Sequence, residues 1–193
     1  MNNNDEGEWF TICDEKNIIL EKNSNNTYKI TFSIRSTGED TVLNVLKNGQ
    51  LFELLSALNP DVIDEIKVTE CANNVHDVFI TFKNSSHHQD GEELDKIINV
   101  CFSLKYEFKE NKCIITSQNC QHDNINCNSQ IKKKDEKEFL SVSKIKLKAV
   151  EKNNDTSMCL IFNVGGKKSS NIINMYIGLY FKKIFYRFKQ YFE

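Results

Sequence analysis

The stretch LIFNVGGKKSSNIINMYIGLYFKKIFYRFKQYFE, Leu160 to Glu193, holds the strongest clue to the fold. A strand-like run meets a Gly-Gly break, and a long apolar, aromatic-rich segment follows. On a 3.6-residue period Ile173, Ile177, Tyr180, Ile184 and Phe188 share one stripe, flanked by Tyr176, Phe181, Phe185 and Phe192. Lys182, Lys183, Arg187 and Lys189 fall largely off that stripe, which predicts an amphipathic helix with a broad apolar face. Such a face lies against a core, a membrane surface or a partner helix.

The residues upstream favour a core. Tyr28, Ile30, Phe32 and Ile34 alternate with Lys29, Thr31, Ser33 and Arg35, the period of a half-buried strand. Ile98, Val100, Phe102, Leu104, Tyr106 and Phe108 alternate with polar residues over a longer run, and a Glu110-Asn111 turn leads into Lys112 to Gln118. Ile66 to Cys71, Val75 to Lys83, Phe139 to Val150 and Thr156 to Val164 read as further strands, the last two as a hairpin around Lys152 to Asp155. Trp9 to Leu20 reads as an N-terminal amphipathic element. Ser36-Thr37-Gly38 closes the first strand, and Glu39-Asp40 suit a helix start. Val42, Val45, Leu46, Phe52, Leu55 and Leu58 then have helical spacing, broken at Asn48-Gly49. Each strand has an apolar face to cover, and a helix of about 25 residues spans about 37 Å, enough to cross a sheet. The economical arrangement is α+β: a curved antiparallel sheet wrapped around the long C-terminal helix, in a single domain over 1–193. Residues 119–138, low in apolar content and ending in IKKKDEKE, read as a long mobile loop.

Composition narrows the function. The net charge of −2 argues against a nucleic-acid partner, and the N-terminus lacks a secretory pattern. The longest nearly apolar run, Ile172 to Phe181, is shorter than the about 20 residues of a membrane span. Seven scattered Cys fit reduced thiols in a cytoplasmic protein. Cys120, His122 and Cys127 match no usual zinc spacing, and His87-His88 stand in a polar stretch. With no nucleophile elbow, phosphate loop or HExxH motif, no catalytic residue, metal or cofactor is expected.

Three segments resemble the START (StAR-related lipid transfer) domain family, which has a helix-grip fold: FELLSALNPDVIDEIKVTE (Phe52 to Glu70), INVCFSLKYEFKENKCIITSQNCQHD (Ile98 to Asp123) and KIKLKAVEKNNDTSMCLIFNVGGKKSSNIIN (Lys144 to Asn174). With the order of elements, the likeness runs from Trp9 to Phe192. The chain departs from the family pattern where Pro60-Asp61-Val62-Ile63-Asp64 lacks Arg and Trp, and where Gly166-Lys167-Lys168-Ser169 lacks Pro. The resemblance implies that the space between sheet and helix holds one lipid, of phospholipid or sterol class, exchanged at a transient membrane surface by a monomer. Candidate lining residues are Ile173, Ile177, Tyr180 and Ile184 on the helix, opposed by Phe102, Leu104, Leu147, Leu160 and Phe162 on strands. Tyr106 and Arg35 are candidate headgroup contacts, and the basic residues of the last helix are candidates for docking on anionic lipid. The alternative is a helix-grip module that transfers nothing and serves as a small-ligand sensor or protein-interaction domain. A weaker third reading is an enzyme with polar groups converging in the same space. A hollow interior favours lipid carriage and a filled one the alternative.

Overall fold

The computed structural model describes residues 8–35, 41–71, 74–83, 98–118, 141–165 and 171–193. Two N-terminal strands, β1 (Trp9–Glu15) and β2 (Ile18–Asn23), form a hairpin. Its turn residues Lys16 and Asn17 both take positive φ, 54° and 59°, which matches the right-handed twist of the strands it joins. The Trp9 to Leu20 amphipathic element is thus two strands with a reversal inside it. β3 (Thr27–Arg35) buries Tyr28, Ile30, Phe32 and Ile34 and turns its polar residues outward.

The helical segment splits in two. α1 (Val42–Lys47) starts at Thr41, whose Oγ1 accepts from the Asn44 N–H at 3.3 Å. It stops at Asn48-Gly49, where Gly49 adopts φ +70°, a left-handed conformation that ends a helix. α2 (Leu51–Leu58) ends at buried Asn59, whose Nδ2 donates to the Leu55 carbonyl at 2.9 Å.

The remaining strands are β4 (Ile63–Cys71), β5 (Val75–Phe82), β6 (Ile98–Lys109), β7 (Lys112–Gln118), β8 (Ser141–Lys152) and β9 (Asp155–Gly165), followed by α3 (Asn171–Phe192). Asn153 and Asn154, both at positive φ, turn β8 into β9. In β8, Ile145, Leu147 and Ala149 are buried while Lys144, Lys146 and Lys148 face water. The nine described strands form one curved antiparallel sheet, in the order β1-β2-β3-β9-β8-β7-β6-β5-β4, which does not close on itself. β3 pairs with β9 from Thr27↔Asn163 to Arg35↔Asp155, so an early and a late strand of the sequence meet in mid-sheet.

α3 leaves β9 and packs on β2, β3, β9 and α2. Phe181, Ile184, Phe185, Phe188 and Phe192 face the core, and the core joins the inner faces of all the central strands. The polar stretch with His87 and His88, residues 119–138, Cys120, His122 and Cys127 lie outside the described residues, as do the side chains of Ile173 and Ile177.

Candidate functional site

A cavity of about 50 Å³ lies between α2, α3 and the concave face of the sheet. Every described side chain in its wall is Leu, Ile or Phe. α2 supplies Leu51, Phe52 and Leu55, one face of its two turns. β4 and β5 supply Ile63, Ile66, Ile80 and Phe82. β6 and β7 supply Phe102, Leu104 and Ile115; β8 and β9 supply Ile145, Leu147, Leu160 and Phe162. α3 closes the space with Phe181, Ile184 and Phe185, spaced so that all three project from one face. Aromatic contacts frame it: Phe162 and Phe181 at 4.6 Å between ring centroids, Phe82 and Phe181 at 6.0 Å, Phe52 and Phe102 at 6.5 Å.

The size sets what this state can hold. One water needs about 10–15 Å³ of such space, so there is room for a few atoms, well below the about 300–1,000 Å³ of ordinary ligand sites. A wall without hydrogen-bonding groups also gives water little reason to stay, and apolar cavities of this kind remain dry.

Of the candidates read from sequence, Phe102, Leu104, Leu147, Leu160, Phe162 and Ile184 surround this space together. Tyr180 is half-buried beside it, stacked on Phe82 at 6.4 Å. Tyr106 is buried outside the wall, in a T-shaped contact with His76 at 4.8 Å and stacked near Phe108. Burial pushes the Tyr106 phenol far above its usual range, so it stays neutral. Arg35 is exposed at the end of β3. Sequence reasoning missed the α2 residues, the β4–β5 residues, Ile115, Ile145, Phe181 and Phe185. The helical spacing of Phe52 and Leu55 and the alternation of Val78, Ile80 and Phe82 are signals of burial, but neither says what those residues enclose.

The basic residues of α3 fasten the helix to its surroundings. Arg187 pairs with Asp61 through both carboxylate oxygens, and Lys183 reaches Asp61 Oδ2 at 2.8 Å. Arg187 and then Lys183, by hydrogen bonding, hold the Asp61 carboxyl well below the usual carboxylate range. On the other flank, Lys182 Nζ lies 2.7 Å from Cys13 Sγ and 3.3 Å from Glu15 Oε2. Lys189, which its spacing placed off the apolar stripe, is 6% exposed. Its ammonium donates to the Ser33 carbonyl at 2.7 Å and to Glu193 Oε1 at 2.6 Å, so its stem crosses apolar surface to a satisfied end.

Among the described residues no His, Cys, Asp and Glu cluster could hold a metal, and no helix is long and apolar enough to cross a membrane. Cys13, Cys113 and Cys159 are free thiols.

A curved antiparallel sheet with a long C-terminal helix is the helix-grip fold of the StAR-related lipid transfer domains. The lipid transfer and protein localization domain of human StarD13 is similar with a TM-score of 0.69 at 12% identity, over 97% of this chain and 90% of that one. Human StAR-related lipid transfer protein 5 is similar at 0.64 and 6% identity, over 98% and 88%. A STAR-related lipid transfer protein from Xanthomonas axonopodis is similar at 0.61 and 9% identity, over 95% and 98%. No protein-family model and no curated protein matches the sequence. At these identities the likeness is one of fold.

Proposed function

We propose that this protein binds one lipid between the sheet and α3 and carries it between membranes as a soluble cytoplasmic monomer. The observation that carries this reading is the wall of Leu, Ile and Phe enclosed between α2, α3 and the sheet, in a fold whose solved examples are named as lipid transfer proteins. No bond is broken in such a cycle. The driving force is removal of hydrocarbon from water, about 0.8 kcal/mol for each CH₂ buried. The lipid is held by Phe102, Leu104, Leu147, Leu160, Phe162 and Ile184, with Ile173, Ile177 and Tyr180 along its length, and it reaches Tyr106 only when the interior expands beyond the present wall.

Loading requires the interior to expand, because the free space is far smaller than a lipid. The elements that can give way are α2 and α3, which close the open side of the sheet. A transient membrane surface is the partner for that step, and anionic headgroups compete there with Asp61 and Glu15 for the basic residues of α3.

The small free volume also favours a second reading, in which the interior stays filled and the domain presents its surface to a protein. Transfer of labelled phospholipids, sphingolipids and sterols between liposomes separates the two. Transfer of one class, abolished by Ile184→Trp in a protein that still unfolds cooperatively, is the expected result. A folded protein that neither binds nor moves any of these lipids would sink the first reading in favour of the second.

A further inference from the structure

The cavity wall is apolar, but one of its rings, Phe162, stacks on a buried tyrosine whose hydroxyl is unpaired. Tyr28 is 0% exposed, and its Oη has no hydrogen-bond partner among the described residues. Tyr28 on β3 lies directly across from Phe162 on β9, the rings stacked at 5.5 Å and 18°. Phe162 is itself part of the cavity wall, so a single ring separates the free space from Tyr28. The Tyr28 ring also lies close to the backbone of α3, where a Cβ on Gly178 would come within 2.8 Å of it. Half-buried Lys22, opposite Tyr28 on β2, places its ammonium 5.5 Å from the ring centroid.

Buried polar groups in native proteins are nearly always paired, and an orphan is costly enough to require a reason. A lipid is too large for the present cavity and must extend past its wall. Sliding Phe162 off its stack on Tyr28 would extend the space to the Tyr28 ring and its unpaired hydroxyl. Granting that the protein binds lipid, we propose that the Tyr28 hydroxyl is the hydrogen-bonding contact for the polar end of the ligand. The ligand is accordingly a neutral lipid with a single hydroxyl or carbonyl, of sterol or fatty-alcohol type. A single hydroxyl or carbonyl matches one phenol, and the rest of such a ligand is hydrocarbon like the Leu, Ile and Phe of the described wall; a phospholipid would instead have to recruit Lys22 beside the Tyr28 ring. Burial pushes the phenol up to about 12, which keeps it a neutral donor and acceptor at physiological pH.

The test is a set of equilibrium binding measurements with matched probes: a sterol and the same sterol without its 3-hydroxyl, 1-hexadecanol and hexadecane, and an anionic phospholipid. The full chain should prefer each hydroxyl-bearing probe over its deoxygenated partner by about tenfold, the worth of one buried hydrogen bond. Tyr28→Phe should erase that preference while leaving the deoxygenated probes bound as before. The variant should be at least as stable as the parent, since it removes an unpaired hydroxyl. Equal binding of both members of each pair by the full chain would overturn the assignment of Tyr28 alone. So would a preference that survives Tyr28→Phe, or tighter binding of the phospholipid that Lys22→Gln weakens and Tyr28→Phe does not. Failure of every probe would remove the lipid-binding reading itself.

Discussion

Within two turns, α3 meets the sheet in opposite ways. At Gly178 the helix backbone rests on the Tyr28 ring so closely that a methyl group would overlap it. From Phe181 to Phe185 large side chains hold the helix off the strands, and free space remains among them. One end of the contact is as tight as a core can be and the other is under-filled. The difference teaches that the cavity depends on residue size along one helix face, with glycine setting the approach and phenylalanine the stand-off.

The comparison can be broken most forcefully at Phe162, the ring shared by both regions through Tyr28 and Phe181. Phe162→Ala should lower the unfolding free energy by about 3–5 kcal/mol, the usual range for a buried aromatic, measured by chemical denaturation. If the loss is under 1 kcal/mol, the wall collapses freely and the tight region does not constrain the loose one. Gly178→Ala probes the tight end. The helix gains about 1 kcal/mol of propensity, while overpacking against Tyr28 costs about 1–3 kcal/mol, so a net loss of about 1 kcal/mol is expected. A stabilised variant would mean that α3 can rise from the sheet without penalty.

The smallest effect belongs to the clamp that sets the helix position from outside. Asp61→Asn should cost less than about 1 kcal/mol, because the carboxylate is 49% exposed and solvent screens the pairs. The folded Asp61 titrates below its unfolded value, so its contribution is complete above about pH 4. It then fades as pH falls toward the much lower folded value. The stability difference between parent and variant should hold steady from pH 7 to pH 5 and shrink below pH 4. A difference that grows on acidification would place the clamp's energy elsewhere.

The strands were legible because one face of each is wet, and alternation is visible only where the two faces differ. β3, β6, β8 and β9 follow from that contrast, and so does burial of Phe102, Leu104, Leu147, Leu160 and Phe162. The hairpin inside Trp9 to Leu20 was not legible, because Lys16-Asn17 lacks the Asn-Gly or Asp-Gly signature while still adopting positive φ. α2 showed a buried face, yet periodicity does not say whether a face meets strands, another helix or empty space. The basic residues of α3 read as candidates for docking on anionic lipid because Asp61 and Glu15, far away in sequence, are joined to them only by the fold. Tyr28 was read correctly as buried, but an unpaired hydroxyl is a property of three-dimensional surroundings and has no sequence signal.

The pairing of β3 with β9 has a consequence for how the chain is made. Partners such as Thr27 and Asn163 stand 136 residues apart, so this junction carries a large loop-closure cost and forms late relative to the local hairpins. During synthesis the β1–β3 unit emerges early and waits with one open edge until β9 leaves the ribosome. For that interval the nascent chain displays an unpaired strand with an apolar face, the kind of template on which misassembly begins. The grip on α3 is completed only when that edge is sealed, so the last strand and helix act together as the closing step of folding.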